Sequence, residues 1–256
     1  MTDPAMIEPW IYAALTAVAV LTGFIDAIAG GGGLIMLPAL LYAGLPPHMV
    51  LGTNKLQSTF GCAIATRNYH RAGLFTVRPN IAAMALVFVG AGAGALLVQR
   101  FTADALRLIV PLLLIAVALY TLLSPQMNDD DRHARLSVRG YAPVAGSIGF
   151  YDGFFGPGTG QFFAATLVAF RGLGLTRATG LTKLFNLTSN VASVIIFALG
   201  GQMVWLLGLS MAAGAMAGAW IGSHSATRFG AKLIRPLFLT ISLALTIRLV
   251  WGWFAD

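Results

Sequence analysis

Long apolar runs separated by short polar segments make up most of this chain. A helix needs about 20 apolar residues to cross the roughly 30 Å hydrocarbon core of a bilayer, and most of the runs have about that length. The pattern predicts eight full membrane spans and two shorter apolar segments. The predicted full spans are residues 10–29, 48–69, 79–99, 104–123, 141–155, 177–199, 203–222 and 234–254.

Glycine clusters interrupt the apolar pattern twice, each time just before a short apolar segment. The cluster Gly30 to Gly33 follows the first span, and the next apolar piece, 34–43, is too short to cross a bilayer. The cluster at 156–160, which includes Pro157, precedes a second short piece at 161–170. Glycine lets the backbone turn sharply, and proline ends one helix and can begin the next. Each cluster therefore predicts a broken-helix hairpin with a short re-entrant helix.

The same series of segments occurs twice along the chain. With an offset of 126 residues Asp26 falls on Asp152, and with an offset of 128 residues Lys55 falls on Lys183. Other identical pairs in these two registers are Gly23 and Gly149, Gly30 and Gly156, Gly52 and Gly180, Gly90 and Gly218, and Arg107 and Arg235. The sequence therefore predicts two homologous halves, residues 1–123 and 141–256, joined by a polar linker at 124–140.

Composition places the chain in a membrane rather than in water. Of its 256 residues 57% are hydrophobic and only 10% are charged, whereas a soluble domain has roughly 25% charged residues. The net charge of +7 comes from basic residues at the ends of apolar segments, with no basic and aromatic surface that would bind nucleic acid. The class predicted is an all-α polytopic membrane protein whose surroundings are the lipid bilayer.

The distribution of basic loops predicts the orientation of the chain. Arg71 lies in one basic loop, the linker forms a second around Arg135, and a third lies near Arg228, so these loops are expected in the cytoplasm. The loop near Gly201 carries no charge, although it is the repeat counterpart of the basic loop near Gly73. The halves are therefore predicted to be inverted repeats in the inner, or plasma, membrane, with the central loop cytoplasmic.

Four ionisable residues lie in apolar stretches at repeated positions: Asp26, Lys55, Asp152 and Lys183. A charge at the centre of a bilayer costs about 2.5–3.5 kcal/mol on insertion scales, so it marks a functional site by default. A structural alternative is two buried Asp–Lys ion pairs that hold the fold. At ~4 Å and an effective dielectric constant of ~20 the attraction is about 4 kcal/mol, similar to the desolvation cost, so energy does not separate the two interpretations.

The broken helices favour binding of an anion. Their amino termini carry free amide groups and the positive end of the helix dipole, and paired broken helices in corresponding halves indicate a transporter's binding site. Lysines add positive charge nearby, and threonine and asparagine side chains add hydrogen-bond donors. The candidate substrate-binding residues are Gly31, Gly32, Gly33, Thr53, Asn54, Lys55, Gly158, Thr159, Gly160, Thr182, Lys183 and Asn186.

The two membrane carboxylates are candidates for coupling or for ion pairing. Asp26 and Asp152 each precede a glycine cluster by about one helical turn. One of them can carry a proton during transport, or both can remain ionised as fixed partners of the lysines. The sequence leaves these two roles open.

The remaining residues of interest have structural interpretations. Glycines in two later spans are expected to permit close helix packing. These are Gly90, Gly92, Gly94, Gly214, Gly218 and Gly222. Cys62, the single cysteine, is expected to fill the core, and the four histidines lack the spacing of metal ligands. No catalytic set is visible, so we expect no metal site, no cofactor and no enzymatic activity.

The segments GFIDAIAGGGGLIMLPALLYAGLPPHMVLGTNKL at 23–56 and GFYDGFFGPGTGQFFAATLVAFRGLGLTRATGLTKL at 149–184 resemble the TauE/SafE family of sulfite-exporter-like permeases. The resemblance covers essentially the whole chain. It implies secondary transport of small sulfur-containing or organic anions such as sulfite or sulfonates. Leu181 stands where the first half has Thr53, so the match between the halves is incomplete there.

These observations predict a secondary transporter of small anions that works by alternating access, and the resemblance implies sulfur oxyanions or organosulfonates as its substrates. A passive anion channel of the same fold and a carrier of small organic carboxylates are the alternatives. The expected partners are a small anionic substrate and lipid, and a homodimer is an assembly that the sequence permits.

Overall fold

The structure is a computed structural model that describes residues 8–106, 109–110, 112–113, 116, 129–230 and 232. Helices account for the regular structure of these residues, in agreement with the all-α class predicted from the apolar runs. The first group comprises α1 (Pro9–Ala29), α2 (Gly32–Tyr42), α3 (Pro47–Arg71), a 3-10 turn (Arg78–Asn80) and α4 (Ile81–Val98). The second group comprises α5 (Ala142–Phe154), α6 (Thr159–Arg171), α7 (Leu175–Leu199) and α8 (Trp205–Phe229).

Long apolar helices support the membrane class. Four of them are long and apolar enough to cross a bilayer, namely Pro9–Ala29, Arg78–Val98, Leu175–Leu199 and Trp205–Phe229. Large apolar side chains on their outer faces, such as Val89 and Leu206, are exposed, as expected for contact with lipid. The predicted spans at 104–123 and 234–254 lie largely or wholly outside the described residues.

Glycines in the left-handed backbone region end the helices that precede the short segments. Gly30 ends α1 with φ 69°, and two residues later α2 begins. Gly156 and Gly158 have φ values of 100° and 78° between α5 and α6. Only glycine adopts such φ values without steric cost, so these positions let the chain reverse between consecutive helices. The helix boundaries thus coincide with the two glycine clusters of the sequence.

The first helix of each group packs against the last helix of the other group. A Cβ atom built on Gly218 of α8 would lie 1.9 Å from the Val20 carbonyl oxygen of α1. A Cβ atom built on Gly94 of α4 would lie 2.1 Å from the Phe150 carbonyl oxygen of α5. Such close backbone approach is what small residues at helix interfaces permit. The two groups are therefore interlocked rather than side by side.

The direction of the helices follows from the same contacts. Gly214, Gly218 and Gly222 of α8 meet Thr16, Val20 and Phe24 in the same order, so α1 and α8 are parallel. In α4 and α5, Gly90 meets Gly146 and Gly94 meets Phe150, so these helices are parallel too. These contacts agree with the predicted packing role of the glycines except at Gly92. A Cβ atom there meets nothing within 4 Å, because that position faces away from α5.

The third helices of the two groups, α3 and α7, run in opposite directions through the centre. The start of α3 lies at the end of α7, where a Cβ atom on Gly52 would lie 2.0 Å from the Gln202 carbonyl oxygen. The start of α7 lies at the end of α3, where Gly180 faces Tyr69. Both helices have 25 residues, and both begin and end 128 positions apart. The corresponding helices α3 and α7 are therefore antiparallel.

The described part of the polar linker contacts the start of α7. Asp131 accepts a hydrogen bond of 2.7 Å from the Gly174 amide, and Asp129 accepts one of 2.8 Å from the Thr176 amide. A carboxylate at a helix amino terminus pairs with free amides and with the positive end of the dipole. The linker therefore stabilises the end of α7 that lies beside the end of α3.

The glycine contacts between α4 and α5 predict different effects of two substitutions two residues apart in one helix. Gly94→Ala should destabilise the protein by about 1–3 kcal/mol, because the methyl group must displace the backbone of α5. Gly92→Ala, the matched control, should leave stability unchanged or raise it by about 0.5–1 kcal/mol, because alanine is the better helix former. Thermal unfolding of detergent-purified variants measures both. Equal unfolding temperatures for the two variants would contradict the interface.

Candidate functional site

Two buried ion pairs connect the two helix groups crosswise. Lys55 of α3 lies 2.6 Å from Asp152 of α5, and Lys183 of α7 lies 3.0 Å from Asp26 of α1. Each lysine of one group thus binds the carboxylate of the other group. Because a buried charge without a partner is costly, the pairs fix α3 on α5 and α7 on α1. The predicted ion pairs therefore exist, and both cross between the groups.

The two glycine clusters touch each other beside these ion pairs. A Cβ atom built on Gly30 would lie 2.5 Å from the Cα atom of Gly160, and one built on Gly33 would lie 3.5 Å from Pro157. The amino termini of α2 and α6 begin at these clusters, at Gly32 and Thr159. No side chain caps either terminus. The positive dipole ends of both helices therefore lie near the point of contact between the clusters, although the Thr159 and Gln161 amides already donate to the Gly156 and Gly158 carbonyl oxygens.

A small polar cavity lies where the ion pairs and the glycine clusters meet. Its volume is about 30 Å³, which is enough for about two water molecules. A second cavity of about 10 Å³ lies next to it, and both are lined by Asp26 and Ser58. The lining of the larger cavity is formed by Asp26, Gly30, Gly33, Asn54, Lys55, Ser58, Cys62, Asp152, Gly156, Thr159, Gly160, Asn186 and Asn190.

Amide side chains from α3 and α7 provide the neutral polar groups of the cavity. Gln57 donates a hydrogen bond of 3.0 Å to the Asn54 carbonyl oxygen, which fixes the orientation of that amide. The Oδ1 atom of Asn186 is buried without a hydrogen-bond partner. An unpaired buried polar atom is costly unless a ligand or water satisfies it. The Oδ1 atom of Asn186 can therefore accept a hydrogen bond from water or from another donor in the cavity, and only its Nδ2 group could donate to an anion.

The structure brings eight of the predicted site residues to the cavity lining. Six others do not line it: Gly31, Gly32, Thr53, Gly158, Thr182 and Lys183. Thr53 accepts a hydrogen bond of 3.0 Å from the Val204 amide and so connects α3 to the start of α8. Gly32 lines the smaller cavity instead. Lys183 is fully buried and reaches the larger cavity only through Asp26.

Three polar residues near the site were not predicted to belong to it. Ser58 lines both cavities. Ser189 donates a hydrogen bond to Asp152. Cys62 is buried as expected, but it also lines the cavity, with its sulfur atom 3.7 Å from Asp26 and 3.6 Å from the Asn190 amide. Ser58 and Cys62 are one and two turns after Lys55, and this helical spacing is the signal that could have identified them.

Side chains and helix ends supply the polar groups of the cavity. Within the described ranges, no group of three or more His, Cys, Asp or Glu residues could hold a metal ion. The polar groups at the cavity are Lys55, two carboxylates, amide side chains and two helix amino termini, and Lys183 lies behind Asp26. Groups of this kind bind small charged solutes by hydrogen bonds and Coulomb attraction.

Comparison with known proteins finds relatives along almost the whole chain. The sequence pattern of the sulfite exporter TauE/SafE family matches residues 15–249. The probable membrane transporter protein YfcA of Escherichia coli K12 is 42% identical over 96% of this chain and 92% of its own length. The probable membrane transporter protein ORF9 of a Sinorhizobium species is 45% identical over 94% of this chain and 92% of its own length. A probable membrane transporter of Haemophilus influenzae is 41% identical over 95% of this chain and 97% of its own length. No solved structure matches this chain.

The family match covers nearly the whole chain, and the relatives are similar over almost their whole lengths. The helices described above include four that are long and apolar enough to cross a bilayer. This chain therefore belongs to the TauE/SafE sulfite exporter family and is a membrane transporter.

Proposed function

We propose that this protein is a secondary transporter of small anions, chiefly sulfur oxyanions and organosulfonates, which moves its substrate by alternating access in the inner membrane. The observation that carries the proposal is the cavity at which two helix amino termini and two crossed ion pairs meet. Helix amino termini attract anions, and the amides of Asn54 and Asn186 can hydrogen-bond to oxygen atoms of a substrate. The family name points to the same class of substrate.

The charges of the cavity are balanced before a substrate enters. Lys55 and Lys183 contribute two positive charges, and Asp26 and Asp152 contribute two negative charges, so the sum is zero. An anion is therefore attracted by the dipole ends and amide donors, and more strongly when one carboxylate is neutralised or moves away from its lysine. This balance explains how a site for an anion can remain stable when it is empty.

The helix directions support an arrangement of inverted repeats. Corresponding helices α3 and α7 run in opposite directions, and each helix group supplies one glycine turn and one lysine to the site. We interpret residues 1–123 and 141–256 as two inverted halves, and α2 and α6 as the re-entrant helices of two broken-helix hairpins. Rocking of the interlocked groups about the crossed ion pairs would open the cavity to one side at a time.

The size of the cavity favours a carrier over a channel of the same fold. About 30 Å³ holds about two water molecules, so an oxyanion with four heavy atoms requires the lining to move apart. A carrier widens its site as part of each cycle, whereas a channel conducts through a standing pore. We infer the orientation of the chain from its basic loops, which favour a cytoplasmic position for the linker and Arg71.

Exchange in proteoliposomes tests the proposed function. Vesicles loaded with unlabelled methanesulfonate or sulfite should take up the same labelled anion faster than empty vesicles, because a carrier returns more readily with substrate bound. Uptake should also saturate. Uptake that does not saturate and is not accelerated by internal substrate would indicate a channel. Stronger competition by acetate than by methanesulfonate would indicate a carrier of carboxylates.

The two ion-paired lysines, Lys55 at the cavity and Lys183 behind Asp26, are predicted to be required for anion binding. Lys55→Met and Lys183→Met should each abolish the thermal stabilisation by methanesulfonate. In the unmodified protein this stabilisation amounts to about 2.7 kcal/mol when the methanesulfonate concentration is 100 times the Kd. Each variant should also lose about 3–5 kcal/mol of stability, because its carboxylate partner remains buried without a counter-charge. Arg78→Met removes an exposed cation outside the site and is the matched control. Normal anion stabilisation in both lysine variants would contradict a role in binding.

The inverted arrangement predicts opposite exposure of two corresponding loops. A cysteine introduced at Arg71 should react with a membrane-impermeant maleimide only from the cytoplasmic side, and one introduced at Gln202 only from the outside. The unmodified protein, which contains only the buried Cys62, measures the background. Labelling of both positions from the same side would rule out inversion and indicate parallel repeats.

A further inference from the structure

The two cavity carboxylates occupy corresponding positions but are held unequally. Asp152 binds Lys55 through Oδ1 and Ser189 through Oδ2, and its side chain is 5% exposed. Asp26 binds Lys183 at 3.0 Å and the Cys62 thiol at 3.7 Å, both through Oδ2. Its Oδ1 atom receives no hydrogen bond from the residues that the structure describes, and its side chain is 26% exposed. Asp26 is therefore the more exposed of the two carboxylates.

The cavities reinforce this difference. Asp26 lines both the 30 Å³ cavity and the adjacent 10 Å³ cavity, whereas Asp152 lines only the larger one. A water molecule in either space can bring a proton to the free oxygen of Asp26. Asp152 also borders the larger cavity, but each of its oxygens already accepts a hydrogen bond, from Lys55 of α3 and from Ser189 of α7.

Protonation of Asp26 changes the charge of the site from zero to +1. Lys183 is fully buried, and Asp26 is the carboxylate within ion-pair distance of it in the described part of the chain. Once Asp26 is neutral, the buried ammonium group of Lys183 lacks a counter-charge, which is unfavourable until an anion enters. A proton on Asp26 and a monovalent anion near Lys183 therefore favour each other's binding.

We propose that Asp26 is the proton-binding group of the transport cycle, that one proton and one monovalent anion move together, and that Asp152 stays ionised as a fixed partner of Lys55. This inference rests on the proposed function, since it assigns the coupling of the same cavity. The site has zero net charge both when empty and when it carries the proton and the anion. Transport of this kind is electroneutral.

Other charged or titratable groups near Asp26 come from three helices. Helix α3 contributes Lys55, Cys62 and Tyr69, and helices α5 and α7 contribute Asp152 and Lys183. Tyr69 donates its hydroxyl hydrogen to the Ala27 carbonyl oxygen at 2.8 Å. Around Asp26, α2 and α8 present Gly32 and Ala215 to the smaller cavity. Lys183 is therefore the direct ionic partner of Asp26, and its positive charge loses its counter-charge when Asp26 is protonated.

Proteoliposomes containing the full-length protein test this coupling with methanesulfonate as the probe. Methanesulfonate stays ionised throughout the working pH range, so it does not follow a pH gradient by diffusion of a neutral acid. Potassium and valinomycin hold the membrane potential constant. With the outside one pH unit more acidic than the inside, the unmodified protein should accumulate the anion up to about tenfold. Changing the membrane potential at constant pH should not alter this accumulation.

Three substitutions separate the roles of the two carboxylates. Asp26→Asn imitates the protonated side chain, so exchange of internal for external anion should persist at a measurable rate without pH dependence, while accumulation driven by the gradient should be lost. Ser189→Ala removes the hydrogen bond that holds Asp152 and serves as the matched control. Asp152→Asn is the second comparison. Both comparison variants should transport more slowly but still accumulate the anion in response to the pH gradient.

The outcomes distinguish this inference from the proposed function. If Asp26→Asn still accumulates the anion in response to the pH gradient, the assignment is overturned, whether or not Asp152→Asn has lost this accumulation. Exchange by the unmodified protein without any response to the pH gradient would overturn proton coupling but leave anion transport intact. A complete lack of methanesulfonate exchange would contradict the proposed function and, with it, this inference. Persistent exchange by Asp26→Asn also shows that the variant is folded.

Discussion

Two lysines buried at the centre of the molecule set the constraint that the rest of the structure satisfies. Lys55 and Lys183 are 3% and 0% exposed, and each requires a counter-charge. Asp152 and Asp26 provide it, each from the opposite helix group. The groups cannot separate without leaving four charges unpaired in an apolar surrounding. The crossed pairs therefore act as the fixed centre about which the glycine turns, the polar cavity and the packing of the outer helices are arranged.

Close backbone contacts allow this centre to form. Glycines of α8 approach the backbone of α1, and glycines of α4 approach the backbone of α5, so Asp26 and Asp152 are brought from the sides to the central pair of α3 and α7. The contact of Gly30 with Gly160 then places the amino termini of α2 and α6 beside the carboxylates. Positive helix ends, Lys55 and both carboxylates thus border one small cavity, and Lys183 is connected to it through Asp26. This combination can respond to an anion and to a proton, and the proposed transport cycle depends on it.

Several parts of the site could be identified from residue type and spacing. Asp26, Lys55, Asp152 and Gly160 were recognised because charge and glycine clusters are unusual in apolar stretches, and all of them line the cavity. Thr53 and Thr182 were included by their position next to the lysines, yet Thr53 bonds to the Val204 amide and neither residue lines the cavity. The direction in which a side chain points on a helix depends on which neighbours surround that helix. Sequence proximity to a lysine does not contain this information.

The sequence by itself determined the helical membrane class, the helix boundaries at the glycine clusters and the identity of the four charges, since apolar length, glycine and buried charge each have a local physical cause. Only the tertiary structure decided which lysine meets which carboxylate. It also decided that Asp26 keeps a free oxygen while Ser189 holds Asp152, although the two positions correspond along the chain. The physical reason is that pairing and solvent access depend on contacts between helices far apart in sequence: the two ion pairs join residues 97 and 157 positions apart. Local pattern specifies the helices, and packing between them specifies the site.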